Sequence, residues 1–157
     1  MAEALQFGAA GPGLDYKDRP AAFGIAEREG RIALVRVTKP GSDPWYDLPG
    51  GALDPGEDDG QALVREFGEE TGLIVRAGDL VVRASQRFHK TDGEPVNNRS
   101  GHYVAELIGE DPGLKIEDDH ELVWADPREA VVRLRHDSHA WAVASWLRTL
   151  DRTGSRD

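Results

Sequence analysis

The stretch that decides the fold reads GALDPGEDDGQALVREFGEETGL and covers residues 51–73 of the 157-residue chain. Its first half contains Asp-Pro-Gly-Glu at positions 54–57, a sequence that predicts a turn. Its second half predicts a helix. Asp58 or Asp59 is suited to cap the first turn, and Gly72 is suited to end the last turn in a left-handed conformation. We therefore expect one continuous loop and helix over this stretch.

Three glutamates on the predicted helix give the strongest chemical signal in the chain. Glu66, Glu69 and Glu70 are spaced i, i+3 and i+4, so their carboxylates fall on one face within a single turn. Three like charges at this spacing repel one another unless a positive charge lies among them. A hard cation such as Mg²⁺ or Mn²⁺, which prefers oxygen ligands, is suited to that position. The pattern indicates metal-assisted phosphate chemistry.

Neighbouring residues support the same interpretation. Arg65 can reach Glu69 at i+4, and the loop acid Glu57 can also engage it, so this arginine is expected to orient the carboxylates. Gly50 and Gly51 allow the backbone to approach the acidic face closely and to turn a carbonyl toward a cation. We expect the loop and the helix to form one cradle.

The fixed positions of this stretch resemble the signature of the Nudix hydrolase family, Gly-x5-Glu-x7-Arg-Glu-apolar-x-Glu-Glu-x-Gly-apolar, in its MutT-like form. The matching residues are Gly51, Glu57, Arg65, Glu66, Phe67, Glu69, Glu70, Gly72 and Leu73. Phe67 differs slightly from the signature, because the family usually has an aliphatic residue there. DLPGG at residues 47–51 and ELVWADPREA at residues 121–130 also look like the family's layout, so the resemblance covers most of residues 20–150.

The resemblance implies an α/β fold, an α/β/α sandwich around a mixed β-sheet. It implies hydrolysis of a pyrophosphate linkage in a nucleoside diphosphate derivative, with Mg²⁺ as the cofactor and Mn²⁺ as the alternative. The metal ligands carried over by position are Glu66, Glu69 and Glu70, with the backbone carbonyl of Gly50 as the fourth.

Catalysis in such a site requires a carboxylate that orients or deprotonates the attacking water while cations neutralise the phosphate charge. Glu66 and Glu69 are the candidates within the motif, and Arg65 and Glu57 complete the expected catalytic set. In some relatives the additional acid comes from a distal loop. Spacing does not choose among the acids at that place, which are Glu117, Asp118, Asp119 and Glu121.

The remaining sequence predicts strands and helices intermixed in one domain. Residues 21–29 and 31–38 suggest a hairpin. Further elements are strands at 45–48, 73–88, 102–108 and 121–124, helices at 126–134 and 139–150, a polar loop at 91–100 and an acidic loop at 109–120. We expect residues 1–19 to form a flexible arm, residues 20–151 to form the Nudix hydrolase domain and residues 152–157 to form a disordered tail.

Composition limits the partners. With 29 acidic and 19 basic side chains the formal net charge is −10, which disfavours a nucleic-acid polymer and favours a small nucleotide-like molecule bound through a cation. The chain has no cysteine, no secretory signal at its start and no apolar run long enough to cross a bilayer, so we expect a cytoplasmic protein without a membrane partner. The resemblance allows a homodimer.

Residues outside the motif carry weaker signals. Arg87, His89 and Arg99 belong to a cationic group around a loop and are the candidates for binding substrate phosphates. His136 and His139 are spaced as zinc ligands can be, but without a third ligand nearby they indicate an ordinary helix start. Trp45 lies beside a predicted strand, which favours core packing over stacking on a base.

The substrate remains open at this level, because fold and metal site do not specify the recognised group. The ADP-ribose subfamily usually has a proline near position 88 and the diadenosine polyphosphate subfamily a tyrosine near positions 89–91, and neither is present. A (deoxy)nucleoside triphosphate or an oxidised nucleotide is therefore the expected substrate. The alternatives are ADP-ribose, a dinucleoside polyphosphate or a nucleotide sugar, or, in another class, a non-catalytic nucleotide-binding regulatory module.

Overall fold

The structure, a computed structural model, describes residues 5–152. Its strands are β1 (Leu5–Phe7), β2 (Lys17–Ile25), β3 (Glu27–Arg28), β4 (Arg31–Val37), β5 (Trp45–Asp47), β6 (Gly50–Ala52), β7 (Leu73–His89), β8 (Pro95–Glu110) and β9 (His120–Ala125). Its helices are α1 (Asp59–Thr71), α2 (Pro127–Arg133) and α3 (Asp137–Arg152), with a short 3-10 helix at Pro112–Leu114. No helix within residues 5–152 is long and apolar enough to cross a membrane.

The strands form two sheets of different character. Five strands make a mixed sheet in the order β1-β7-β8-β2-β6, in which β1 runs parallel to β7 and β2 runs parallel to β8. The second sheet is built on β4, which pairs antiparallel with β3, β5 and β9.

Helices α1 and α3 lie on opposite faces of strand β2. Ala22 belongs to a buried cluster with Phe67 of α1, whereas its neighbour Phe23 belongs to a second cluster with Val143 and Trp146 of α3. Successive side chains of a strand point to opposite faces, so the two clusters are separate cores on the two sides of the strand layer. This confirms the expected α/β/α sandwich.

The helix that carries the motif begins and ends as predicted. The side chain of Asp58 accepts a hydrogen bond from the Gln61 amide at 2.8 Å, and the Gln61 side chain accepts one from the Asp58 amide at 3.0 Å. This reciprocal capping box satisfies two backbone donors that a helix start leaves free. Gly72 ends the helix with φ 76°, a left-handed conformation that glycine adopts without strain.

The aromatic side chain of Phe67, where the family usually has an aliphatic residue, is accommodated by a glycine on the facing strand. Phe67 is fully buried. A Cβ atom added to Gly24 of β2 would lie 2.8 Å from the Phe67 ring, closer than carbon atoms pack. The larger side chain therefore changes the packing beneath α1 and leaves the acidic face of the helix in place.

Two expected elements differ in the structure. The hairpin is split, because residues 17–25 join the five-stranded sheet and only Glu27–Arg28 pairs back onto β4. The expected polar loop at 91–100 is a loop only up to Glu94, since β8 begins at Pro95. Asn97 and Asn98 are buried because β8 is paired on both sides, so polarity alone misled the interpretation.

Part of the expected N-terminal arm is ordered in the sheet. Leu5–Phe7 pairs in parallel with residues 84–86 of β7, and β2 already begins at Lys17. The expectation of a flexible arm over residues 1–19 is thus corrected for residues 5–7 and 17–19. Residues 1–4 and all of the expected tail except Arg152, the last residue of α3, lie outside the described range.

Candidate active site

The acidic face of α1 lies directly against the backbone of β6. Gly50 pairs with Phe23 of β2, which fixes β6 beneath the helix. A Cβ atom added to Gly51 would lie 1.9 Å from Oε2 of Glu66, so only glycine leaves room for this carboxylate. The backbone amide of Gly50 donates to Oε1 of Glu70 at 3.1 Å. The loop and the helix therefore form the single cradle that the spacing predicted.

Arg65 holds the acids of the motif together. Its Nε and Nη2 donate to the two carboxylate oxygens of Glu57 at 2.8 and 2.9 Å, a two-pronged contact. Its Nη1 donates to Glu66 at 2.7 Å and to Glu69 at 3.1 Å. These hydrogen bonds lower the pKa of Glu57 to about 2. One guanidinium thus orients three carboxylates, which is the expected role of Arg65.

The carboxylates nearest the β6 backbone carry charge that the protein alone does not neutralise. Burial raises the pKa of Glu66 to about 7, and the attraction of Arg65 only partly opposes that shift. Burial also raises the pKa of Glu70 well above its ordinary value, and the charge of Glu66 adds to the effect. Buried like charges favour either protonation or a bound cation.

The donor set fits a hard divalent cation. Glu66, Glu69 and Glu70 offer only oxygen ligands from one helix face, and the Glu66 carboxylate occupies the space that a Cβ of residue 51 would fill. Glu69 has the most exposed of the three side chains, at 29%, and its carboxylate contacts Arg65. Unlike Glu66 and Glu70, Glu69 does not line the cleft.

The distal loop brings a second group of acids to the end of α1. The amides of Ile116 and Glu117 donate to the carbonyl of Glu69 at 2.9 and 3.0 Å, which anchors the loop to the last turn of the helix. Ligand atoms of Glu117, Asp119 and His120 all lie within 4.8 Å of one another. Nε2 of His120 is also 3.5 Å from Oε2 of the motif residue Glu70.

Two of the four acids of the distal loop lie beside the motif and two do not. Glu117 and Asp119 belong to the group beside the motif, and Asp119 is in addition paired with Lys39. Asp118 is exposed, and Glu121 points away from the group, where it pairs with Arg36 on the surface. The structure therefore reduces the distal candidates to Glu117 and Asp119.

A cleft of about 360 Å³ runs from the motif to the far wall of the sandwich. Glu66 and Glu70 lie on one side. The other side is made by side chains from strands β2, β7 and β8 and from the start of α3, namely Arg19, Phe23, Phe88, Asn98, His136 and His139.

The two histidines of this wall are buried and neutral. Burial lowers the pKa of His136 to about 3 and that of His139 well below its ordinary value. Nδ1 of His139 accepts from the Leu48 amide at 3.2 Å, so the neutral ring carries its proton on Nε2. Nε2 of His136 has no hydrogen-bond partner among the described residues. The amides of His139 and Ala140 donate to the His136 carbonyl, so the pair lies at a helix start, as the sequence indicated, and both rings also line the cleft.

A second cavity of about 270 Å³ adjoins the cleft at Arg135. The guanidinium of Arg135 donates to both carboxylate oxygens of Asp47 at 3.2 and 2.9 Å and lies 4.4 Å from the ring centre of Trp45. Trp45 is half-buried and lines this cavity, so its expected place in the core is wrong.

The three cationic residues expected to bind substrate lie elsewhere. Phe88 and Asn98 point into the cleft, and because strand side chains alternate, Arg87, His89 and Arg99 point to the opposite face of the sheet. There Arg87 donates to a backbone carbonyl, His89 contacts a tyrosine hydroxyl and Arg99 pairs with an aspartate. These residues line neither the cleft nor the second cavity, which corrects that assignment.

The places of Arg19, Asn98, Arg135 and the two histidines in the cleft were missed because these residues lie far from the motif in sequence. The signal that could have found some of them is the alternation of β7 and β8, since Gln86, Phe88 and Asn98 share one face. No comparable signal links Arg19 or Arg135 to the motif in the sequence alone.

The layered fold and the carboxylate-lined cleft suit a hydrolase that acts on phosphoric anhydrides. The family model of the NUDIX domain matches residues 16–147. The chain therefore belongs to the Nudix family, and it is an enzyme, a pyrophosphohydrolase that acts on phosphorus-containing acid anhydrides.

Curated relatives agree with the family. The chain is 32% identical over 108 residues to the CTP pyrophosphohydrolase of Escherichia coli, covering 68% of this chain and 75% of that protein. It is 27% identical over 107 residues to the RNA pyrophosphohydrolase of Sphingopyxis alaskensis, covering 62% and 67%.

Solved structures agree with the fold. A NUDIX hydrolase from Nitrosomonas europaea superposes with a TM-score of 0.72 at 20% identity, covering 85% of this chain and 90% of that one. A MutT NUDIX hydrolase from Burkholderia pseudomallei superposes with a TM-score of 0.60 at 26% identity, covering 82% and 98%.

Proposed function

We propose that this enzyme is a Mg²⁺-dependent pyrophosphohydrolase of a (deoxy)nucleoside triphosphate or an oxidised nucleotide. The observation that carries the proposal is the seating of the Glu66 carboxylate against Gly51, within the group of acids that Arg65 orients. The name of the E. coli relative, a CTP pyrophosphohydrolase, supports a triphosphate substrate. The cytoplasm as the place of action and a homodimeric assembly remain predictions from the sequence.

Four ligands would hold the cation at the base of the cleft. The carboxylates of Glu66, Glu69 and Glu70 would supply three of them, with Glu69 turning from Arg65 toward the cation, and the carbonyl of Gly50 would supply the fourth. A divalent cation held there would withdraw negative charge from the scissile pyrophosphate. Arg65 and Glu57 keep the carboxylates in position, because their two-pronged contact locks the guanidinium.

Glu66 is the base that we propose for the attacking water. Its carboxylate lines the cleft, and a carboxylate oxygen that is not bound to the cation can accept the proton of the water. Glu69 is less suited because Arg65 holds its carboxylate outside the cleft lining. Glu117 is the alternative base, since its loop is fixed to α1 and it lies in the group beside Glu70.

The test is phosphate release, coupled to a pyrophosphatase, from a panel of nucleoside triphosphates, oxidised nucleotides, ADP-ribose, dinucleoside polyphosphates and nucleotide sugars. Each is assayed with Mg²⁺, with a chelator and with Glu69→Gln. Glu106→Gln serves as the matched control, because Glu106 is half-exposed and pairs with Arg76 on the surface. We expect turnover of a triphosphate that is lost with chelator and in Glu69→Gln but kept in the control.

Two further results would redirect the assignment. Preferential turnover of 5′-triphosphorylated RNA, the substrate suggested by the name of the Sphingopyxis relative, would contradict the small-molecule substrate. If the whole panel stays intact in Mg²⁺ and in Mn²⁺, the proposed activity fails.

A further inference from the structure

Arg19 differs from every other arginine and lysine that lines the two cavities. Each of the others is paired with a carboxylate: Arg65 with Glu57, Arg135 with Asp47, Lys39 with Asp119 and Lys90 with Glu94. Arg19 makes no ion pair within residues 5–152. The positive charge of Arg19 is therefore the one in the cleft that the described part of the protein leaves without a carboxylate.

The side chain of Arg19 is fixed at its inner end and free at its outer end. Its Nε donates to Oδ1 of Asn98 at 2.8 Å, and its guanidinium carbon lies 5.7 Å from the ring centre of Phe88. No described residue accepts a hydrogen bond from its two terminal nitrogens. Burial lowers the pKa of Arg19, and the charges of Glu66 and Glu94, which do not contact it, only partly oppose that shift. The arginine nevertheless stays charged.

The backbone of Arg19 lies apart from the motif, although the charge of Glu66 still acts on its guanidinium. Arg19 precedes Phe23, the partner of Gly50, by four residues on β2, a distance of about 13 Å along a strand. It lines both the cleft and the second cavity. A ligand held at the motif can thus extend to Arg19 with a second anionic group.

We propose that Arg19 is a specificity-determining residue that binds a phosphate of the substrate other than those at the carboxylates, and so selects nucleoside triphosphates over diphosphates. A guanidinium with free terminal donors matches the geometry of a phosphate. Asn98 and Phe88 are positioning residues, because they act through Arg19. This inference rests on the proposed function, since it names which nucleotides the same cleft prefers.

The experiment compares one nucleoside as its triphosphate and its diphosphate, with kcat and KM measured for wild type, Arg19→Gln, Arg19→Lys and Arg76→Gln. Arg76 is the matched control because it is exposed and pairs with Glu106 on the surface. In Arg19→Gln we expect KM for the triphosphate to rise by about 10- to 100-fold, the range for a lost charge-assisted hydrogen bond, while KM for the diphosphate and kcat change by less than about threefold. Arg19→Lys should recover part of the loss.

A second measurement separates this inference from the proposed activity. Binding of a triphosphate analogue with a methylene bridge is measured by calorimetry in chelator, where neither metal nor turnover contributes. We expect Arg19→Gln to weaken binding of the triphosphate analogue by at least about tenfold and Asn98→Ala to weaken it less. Equal binding by wild type and Arg19→Gln, or an equal rise in KM for both nucleotides, overturns the role of Arg19 even if the enzyme hydrolyses the substrate.

Discussion

The two walls of the cleft treat charge differently. On the motif wall, the half-buried Glu66 lies beside the buried Glu70, and Arg65 offsets only part of the charge of Glu66. On the facing wall, His136 and His139 are buried as neutral rings. The first wall accumulates negative charge, whereas the second wall presents neutral rings and the positive charge of Arg19.

This difference indicates which parts of a bound nucleotide would contact each wall of the cleft. A polyanion approaches an acidic surface only when a cation lies between them, so we assign the pyrophosphate to the motif wall. A nucleoside and its outer phosphates meet no such repulsion at the facing wall, where Arg19 and Asn98 lie side by side. Substitutions on the two walls and a pH titration test this division.

Glu66→Gln should have the largest effect. It keeps the shape of the side chain but removes the charge beside Gly51, so we expect metal-dependent hydrolysis to fall by about 100- to 1000-fold. The melting temperature should stay equal or rise, because a repelling carboxylate is removed. Phosphate release and thermal unfolding are measured side by side, with Glu106→Gln as the control. Full activity in Glu66→Gln would contradict the assignment of the motif wall.

Gly51→Ala should displace the carboxylate of Glu66 without changing its charge. The new Cβ would meet Oε2 of Glu66 at 1.9 Å, so the carboxylate must move, and we expect Mn²⁺ affinity to fall by about 10- to 100-fold. Gly109→Ala is the control, because no atom lies within 4 Å of a Cβ at that position. The affinities are compared by calorimetry, and equal values for the two variants would rule out the close seating of Glu66.

The free energy of unfolding should depend on pH with opposite signs for the titratable groups of the two walls. The pKa of Glu66 is raised from 4.5 to about 7, so the folded protein holds this proton more tightly than the unfolded chain. Without metal, the contribution of Glu66 to the free energy of unfolding is therefore favourable at low pH and is lost as pH rises from about 4.5 to about 7.

Buried histidines contribute with the opposite sign. The pKa of His136 is lowered to about 3, so its neutral form stabilises the folded state above pH 6.5 and that contribution is lost as pH falls. The measurement is urea unfolding in chelator from pH 4.5 to 8, taken as the difference between wild type and Glu66→Gln, in which the histidine contributions cancel. A difference that does not vary with pH would show that Glu66 titrates normally.

Arg99→Gln should have the smallest effect. Arg99 follows Asn98 on β8 but points to the opposite face, where it pairs with Asp18. We expect KM for a triphosphate to change by less than about twofold, as for an exposed ion pair. If Arg99→Gln raises KM as much as Arg19→Gln does, the substrate lies on the other face of the sheet.

The sequence was sufficient to predict the contacts of the motif wall but not those of the facing wall. The contacts among Glu57, Arg65 and Glu69 follow from helical spacing and a short loop, which local sequence encodes. Arg19 and Asn98 are 79 residues apart and meet only because β2 and β8 pair in parallel. Their register depends on the packing of the whole sheet, which local sequence does not encode.

The central claim is that the carboxylates seated against Gly51 bind a divalent cation. The most direct measurement is a titration of the purified enzyme with Mn²⁺, followed by electron paramagnetic resonance, for wild type and Glu66→Gln. We predict that wild type binds Mn²⁺ and that Glu66→Gln binds it at least about tenfold more weakly. Equal Mn²⁺ affinity in the two proteins would contradict the claim and would place the metal elsewhere, with the group of Glu117, Asp119 and His120 as the next candidate.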